Sequence, residues 1–392
     1  MSRPKLEVAQ LINLYQHQLL RHFPQPAPHL RTLQAISQCR TAALGGHIDA
    51  CSDCGHLRIS YNSCRNRHCP KCQGLNRHRW VHKRMEELLP VPYFHLVFTL
   101  PHQLNELALL QPRTIYQLLF HTAWDTIQTL GKDHKWLGAQ MAMTAVLHTW
   151  GQNLQLHPHL HCIVPAGGIT GQGKWKALPY AHKYLFPAKV LQLLFRNKFM
   201  ARIKHLIKAG QIPVQLHNWK VLSHKLYRKK WVVFAKRPFA GPQQVIQYLG
   251  KYTHRIAISN QRLLSLDNTG IHFSYKDYRD GKRKVMCLKP VEFLRRFCLH
   301  ILPSGFRRIR HYGFLSNAVK KEKLDLIRKA LNATPPNKPK NKLSWQQLLQ
   351  QATGYNVLQC PACKSFGMKT IGIIPQQRPP PANQIPSWFS VR

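Results

Sequence analysis

The sequence predicts an α+β fold, in which strands and β-hairpins are interspersed with amphipathic helices behind a cysteine-rich, metal-binding segment. Three observations carry that expectation. The stretch Leu156-His157-Pro158-His159-Leu160-His161-Cys162-Ile163-Val164 reads as a strand, and its period of two turns three imidazoles to one face. Apolar residues at helical spacing flank it on both sides. Two Cys-x2-Cys pairs, Cys51/Cys54 and Cys69/Cys72, stand near the start of the chain.

Composition narrows the class of partner. The chain has 392 residues, with 58 Lys and Arg against 14 Asp and Glu, a formal net charge of +44. A surface this basic repels itself unless it works beside a polyanion, so a nucleic acid held through phosphate contacts is expected. Hydrophobic content of 44% argues for a folded protein, and no window is apolar enough to cross a membrane. Met1-Ser2-Arg3-Pro4-Lys5 lacks the apolar run of a signal peptide, so a cytoplasmic location is expected. Eleven cysteines then suggest metal-bound thiolates before disulfides. Scarce, scattered carboxylates argue against a nuclease that gathers acids around two metals.

Taken in order, Leu6, Leu11, Tyr15 and Leu19 predict a core-facing helix over 5–22. Pro24, Pro26 and Pro28 break the chain before a short helix that leads to Cys39. Cys51, Cys54, Cys69 and Cys72 are expected to close one tetrahedral Zn²⁺ site, with Gly55 supplying a permissive turn. Cys39, His47, Cys64 and His68 remain nearby as a candidate second site, or as ordinary buried thiols and imidazoles. Arg65 and Arg67, on the loop between the pairs, are candidate DNA contacts.

A basic helix is expected over 73–89, a strand over 91–100, and two helices over 104–130 split at Pro112. A strand over 142–150 and a turn at Gly151-Gln152-Asn153 make a hairpin with the histidine strand. Downstream come a basic helix over 187–209, a strand over 231–234, and a helix from Gln243 to Tyr252 opened by Pro242. Hairpins are expected over 256–288, with turns at Asp267-Asn268-Thr269-Gly270 and Asp280-Gly281, then helices over 290–300 and 318–331. Pro335, Pro336 and Pro339 mark a linker, and a last pair, Cys360 and Cys363, precedes a Pro-rich end expected to be disordered. Two sulfurs cannot satisfy zinc, so this pair is either an exposed pair of thiols or a half-site with partners from elsewhere, another subunit included.

The histidine face invites two readings, a hydrated patch or ligands for a divalent ion. Tyr248 and Tyr252 share a helix face one turn apart, within a basic segment that includes Lys251, His254 and Arg255. Such a pair is commonly core, but in this setting it suits nucleophiles aimed at a phosphodiester.

The ordered combination of His159-Leu160-His161 with Tyr248-x3-Tyr252 resembles the HUH endonuclease superfamily. With the cysteine segment in front, the chain resembles the two-tyrosine rolling-circle transposases of bacterial insertion sequences. That resemblance implies an antiparallel sheet flanked by helices, with the histidines on a central strand. It implies single-stranded DNA at element ends and target as substrate, and 5′-phosphotyrosine intermediates on Tyr248 and Tyr252. It also implies Mg²⁺ or Mn²⁺ on His159 and His161, with structural Zn²⁺ on the cysteines. His148 is the favoured third ligand, with His157 and Gln152 as alternatives. All-imidazole ligation is soft for Mg²⁺, so Mn²⁺ or Zn²⁺ is an expected occupant in vitro. Lys251 and Arg255 join Arg65 and Arg67 as expected DNA contacts.

The expected domains are N-terminal helices (1–38), a zinc-binding DNA-contact domain (39–90), the catalytic domain (91–300), a basic helical extension (301–333), and a linker with tail (334–392). Self-association is left open. The competing functions are a plasmid replication initiator or relaxase of the same superfamily, and a noncatalytic zinc-dependent nucleic-acid-binding protein.

Overall fold

The computed structural model describes residues 4–181, 183–236, 255–277, 279–334 and 344–377, together with Gln244, Gly250 and Thr253. Tyr248, Lys251 and Tyr252, the prolines of the linker and the Pro-rich end lie outside the described residues. The architecture is α+β, with antiparallel sheets flanked by helices.

The chain begins with α1 (Val8–His22) and α2 (Ala27–Ser37), followed by β1 (Gly46–Cys51) and β2 (Leu57–Tyr61). At the start of α1, the Glu7 amide donates to Gln10 Oε1 at 2.8 Å, satisfying a group the helix leaves open. Helix α3 (Gln73–Met85) then leads to β3 (Tyr93–Thr99), α4 (Asn105–Leu110) and α5 (Pro112–Lys132), with Pro112 opening α5 in its first turn. Strands β4 (Ala142–Trp150) and β5 (Leu156–Pro165) form the expected hairpin, and β6 (Gly167–Ile169) pairs with β7 (Trp175–Ala177).

Next come α6 (Ala188–Lys208), α7 (Leu216–Arg228) and β8 (Val232–Lys236). A three-stranded meander follows, β9 (Leu263–Leu266), β10 (Ile271–Lys276) and β11 (Arg283–Leu288), and then α8 (Pro290–Cys298). The last elements are β12 (Ile309–Gly313), α9 (Lys320–Ala330), α10 (Trp345–Thr353) and β13 (Met368–Ile374).

The principal sheet has the order β12-β4-β5-β3-β8, every neighbouring pair antiparallel, so the histidine strand β5 is central. Its alternation sorts the residues. Leu160, Cys162 and Val164 join Phe94, Leu96 and Phe98 of β3 in the core beneath α5 and α6. Each such side chain, fully buried, contributes roughly 1.5–3 kcal/mol. The opposite face carries Val146 and Ile163, packed with Phe314, Leu324 and Ile327. A separate core joins α1, α2 and α8 to the meander and includes Trp150 and Leu154 from the hairpin end.

Two placements differ from the expected domain limits. Strand β12 lies beyond residue 300 yet forms an edge of the principal sheet, pairing Ile309 with Val146 and Gly313 with Ala142. Strand β13, in the tail, pairs with β1, so the small N-terminal sheet has the order β13-β1-β2. Local periodicity announces a strand but not which distant strand will pair with it.

His300 ties α8 to the hairpin end. It is 1% exposed, its Nε2 donates to the Leu154 carbonyl at 3.0 Å, and its Nδ1 lies 3.2 Å from Thr149 Oγ1. Burial pushes this imidazole down to about 4. An unfolded histidine titrates near 6.5, so the unfolded chain binds the extra proton between those values. The stabilisation is fully present above pH ~6.5 and is lost as pH falls toward 4, on the order of 3 kcal/mol in all. Urea denaturation at pH 7, 5.5 and 4.5 should therefore show stability falling with acid in the native chain. The His300→Gln variant should fall less steeply; an equal slope would show that His300 does not carry the dependence.

Candidate functional site

Register builds the histidine cluster. The β4–β5 ladder sets His148 opposite His159 and Val146 opposite His161, while β3 sets Val97 opposite His161. One ligand nitrogen from each of His148, His159 and His161 lies within 4.8 Å of the others. His159 Nε2 and His161 Nε2 are 3.2 Å apart. Two imidazoles bound at about 2.0–2.1 Å to one ion place their nitrogens at about this separation. His148 stacks on Trp150 with ring centroids 4.5 Å apart, which fixes its orientation.

The hydrogen bonds prepare lone pairs. His159 Nδ1 donates to the His157 carbonyl at 2.6 Å, so its Nε2 is the acceptor nitrogen. His161 Nδ1 faces His95 Nε2 at 2.9 Å, which leaves its Nε2 turned to His159. His148 is 2% and His161 8% exposed. Burial pushes His159 down to about 4, and burial and then the neighbouring His148 hold His161 well below its ordinary value. Both rings are neutral near pH 7, the form that ligates metal. The donor set therefore fits a divalent cation.

Of the two histidine candidates for third ligand, His148 is the one that joins His159 and His161. His157 is exposed and stands outside the trio; the Gln152 backbone carbonyl accepts a hydrogen bond from Arg262. His95 was not foreseen. The only sequence signal for it is a lone polar residue within Phe94-His95-Leu96, on a strand that pairs with β5.

The nucleophile candidates Tyr248 and Tyr252, with Lys251, lie outside the described residues. Their neighbours in sequence are placed. Gly250 packs so tightly on Val81 of α3 that a Cβ would collide with the valine methyl. Thr253 is buried and its hydroxyl donates to the Gly250 carbonyl at 3.3 Å. Arg255 is exposed, and its charge bears on both His159 and His161.

The cysteines regroup. The expected set Cys51, Cys54, Cys69 and Cys72 does not form; Cys69 and Cys72 gather with Cys39 and Cys64, while Cys51 and Cys54 gather with Cys360 and Cys363. The cause is β13, whose pairing with β1 carries the tail to Cys51. Of the residues left over in the sequence, Cys39 and Cys64 thus find a cluster, but His47 and His68 do not. His47 lies 3.6 Å from Asp49, and His68 Nε2 accepts from the Leu302 amide at 3.4 Å. Amides also point at the first cluster's sulfurs, Cys64 N to Cys39 Sγ at 3.4 Å and Lys71 N to Cys69 Sγ at 3.4 Å, as suits thiolates.

Arg65, exposed and with φ 54°, points outward from this loop. Arg67 corrects the expectation of a DNA contact. Its guanidinium donates to the carbonyls of Leu302 (3.3 Å), Pro303 (3.0 Å) and Phe306, clamping the cysteine loop to the segment before β12.

Comparisons with known proteins agree with this architecture. Residues 142–323 match the family Y2_Tnp, described as "Putative transposase", and residues 11–100 match a family described as "Transposase zinc-binding domain". The chain is 42% identical over 395 residues to "Putative transposase y4qJ" of Sinorhizobium fredii, covering 97% of this chain and 98% of that protein. It is 28% identical over 359 residues to "Transposase for insertion sequence element IS801" of Pseudomonas savastanoi pv. phaseolicola, covering 88% and 84%. No solved structure matches the chain. An antiparallel sheet, a cysteine-rich N-terminal segment and these matches define a transposase with a zinc-binding domain, an enzyme class that acts on DNA. Within that class, the chain belongs to the IS91/IS801 family of insertion-sequence transposases. No helix among the described residues is long and apolar enough to cross a membrane.

The contact between Gly250 and Val81 is testable without reference to chemistry. Valine is stiff at χ1, so the collision is not easily relieved. Gly250→Ala should destabilise the fold by about 1–3 kcal/mol, and adding Val81→Ala should recover most of the loss. Thermal denaturation of the two single variants and the double variant measures the coupling; strictly additive losses would show that the two residues do not touch.

Proposed function

We propose that this transposase nicks and transfers single-stranded DNA at element ends and target, with Tyr248 and Tyr252 as nucleophiles. The observation that carries the reading is the trio His148, His159 and His161, convergent on the central strands of the sheet. Those residues would hold Mg²⁺ or Mn²⁺, which when bound supplies Lewis-acid stabilisation of charge on a scissile phosphate.

The protein's own residues do the rest. A tyrosine hydroxyl attacks the phosphorus; a P–O bond to tyrosine forms as the bond to the 3′-oxygen breaks. The products are a 5′-phosphotyrosine and a 3′-hydroxyl that takes up a proton. The bond energy is conserved, so a 3′-hydroxyl can attack the phosphotyrosine and rejoin the strand. Paired tyrosines allow one to hold the element end while the other attacks the target. Lys251 and Arg255 lie beside the nucleophiles in sequence and would engage phosphate oxygens. His95 is a positioning residue, holding His161 by the 2.9 Å contact at Nδ1 so that Nε2 turns toward His159.

Cys39, Cys64, Cys69 and Cys72 would hold one structural Zn²⁺. Such a site rigidifies the loop on which Arg65 is displayed to DNA. The charge of +44 makes binding steeply salt-dependent.

Incubated with Mn²⁺ and a single-stranded oligonucleotide carrying the element end, the purified chain should form a covalent adduct resistant to denaturant. The double variant Tyr248→Phe, Tyr252→Phe should form none; adduct from that variant would refute the mechanism. His161→Ala should abolish cleavage while leaving oligonucleotide binding in place.

His95→Leu should weaken Mn²⁺ binding about 10–100-fold, the usual cost of losing a residue that orients a ligand, with His95→Gln closer to native. Calorimetric titration with Mn²⁺ reads this directly, and unchanged affinity in His95→Leu would remove the assigned role.

A further inference from the structure

We infer that Cys51, Cys54, Cys360 and Cys363 form a second four-thiolate zinc site, a ribbon that locks the tail of the chain onto its N-terminal domain. The family match to a zinc-binding domain ends at residue 100, so it does not reach the tail pair. The inference rests on the cysteines alone and is independent of the tyrosine chemistry.

The two pairs are built alike. In the first, the Gly55 amide donates to the Cys51 carbonyl at 3.0 Å and the Cys51 amide to the His56 carbonyl at 3.0 Å. In the second, the Lys364 amide donates to the Cys360 carbonyl at 3.1 Å and the Cys360 amide to the Ser365 carbonyl at 2.7 Å. Each turn places its fifth residue in the left-handed region, Gly55 at φ 71° and Lys364 at φ 65°. A lysine tolerates that conformation only where something holds it. These are two copies of one knuckle, a turn that presents two sulfurs to a common point.

The copies face each other. Cys51 Sγ lies 3.6 Å from Cys363 Sγ, and Cys54 Sγ lies 3.7 Å from Cys360 Sγ. Four sulfurs at about 2.3 Å from a tetrahedral zinc stand about 3.8 Å apart along each edge, whereas a disulfide needs about 2.05 Å. Strand pairing enforces the meeting: Cys51 is opposite Met368, and the Ser52 amide donates to the Gly367 carbonyl at 2.9 Å. The Ser365 hydroxyl, 3.1 Å from Cys363 Sγ and 3.4 Å from Cys51 Sγ, is available to donate to sulfur.

The apolar core of this sheet is too small to hold it. It consists of Cys51, Cys360 and Met368, while Leu57, Ile59, Ile371 and Ile373 are exposed. Units this small depend on a metal or a covalent link for stability. Zinc between the knuckles supplies the link, and it joins segments 306 residues apart (Cys54 to Cys360).

Zinc content of the full-length chain, read by native mass spectrometry, tests the assignment. In a His161→Ala background, which removes the histidine trio as a zinc site, the chain with all its cysteines should carry two zinc ions, and the pair Cys360→Ser, Cys363→Ser should carry one. The pair Cys51→Ser, Cys54→Ser should also carry one, and the fourfold variant should still carry one because both pairs serve the same ion. Two ions in the tail variant, or losses that add in the fourfold variant, would overturn the site. A second measurement needs no substitution. After zinc removal by a chelator, oxidation of the native chain with diamide should give disulfides joining peptides of Cys51 or Cys54 to those of Cys360 or Cys363. Disulfides joining Cys51 or Cys54 to Cys69 or Cys72 instead would overturn it.

Discussion

The pairing of β4 with β5 is the constraint on which the rest of the site depends. Its register puts His148 across from His159 and leaves His161 one pleat further along the same face. A slip of one residue would turn every imidazole of one strand into the α5–α6 core and every leucine out of it. The apolar residues next to the histidines, Leu147, Leu160 and Cys162, therefore secure the geometry of the imidazole cluster as firmly as the histidines express it. Strand β3 adds His95 behind His161, and β12 closes the far side of β4.

What the sequence showed was whatever repeats locally. The period of two in β5, the helical spacing of α1 and the proline that opens α5 each translate directly into an element. The His-x-His strand was legible for the same reason, and so was its hairpin partner. Partners across long sequence separation were not. Cys51 and Cys69 looked like halves of one site because they are close in sequence, but β13 arrives from beyond residue 367 and takes the place beside β1. Arg67 looked like a free cation because nothing nearby in sequence accepts from it; its acceptors are carbonyls at 302–306. His95 was concealed by its own strand, where one histidine among aromatics and leucines reads as packing.

Charge has a similar division of labour. Several of the few carboxylates hold two cations at once. Asp125 takes Lys198 and Arg202, Glu87 takes Arg84 and Lys320, and Glu292 takes Arg295 and Arg296. With 14 acids against 58 bases, such pairs can neutralise only a minority of the positive charge. The excess is a property of the surface as a whole, which suits an enzyme class whose substrate is a polyanion.

The zinc-binding segment is joined to the rest of the chain at too many points to act as a tethered module. Lys71 pairs with Glu7 of the N-terminal region at 2.6 Å, and Arg67 grips the turn before β12. Arg84 of α3 reaches His311 of β12 at 3.0 Å, and Arg328 donates to the Glu86 carbonyl at 2.7 Å. Val81, on the same helix, receives Gly250, which stands two residues from Tyr248 and two from Tyr252 in the chain. A shift of α3 would therefore be felt both at β12, on the edge of the histidine-bearing sheet, and beside the tyrosine segment. Holding the cysteine loop rigid is in this sense part of holding the segment around Gly250, because the helix that leaves Cys72 is the surface against which Gly250 is packed.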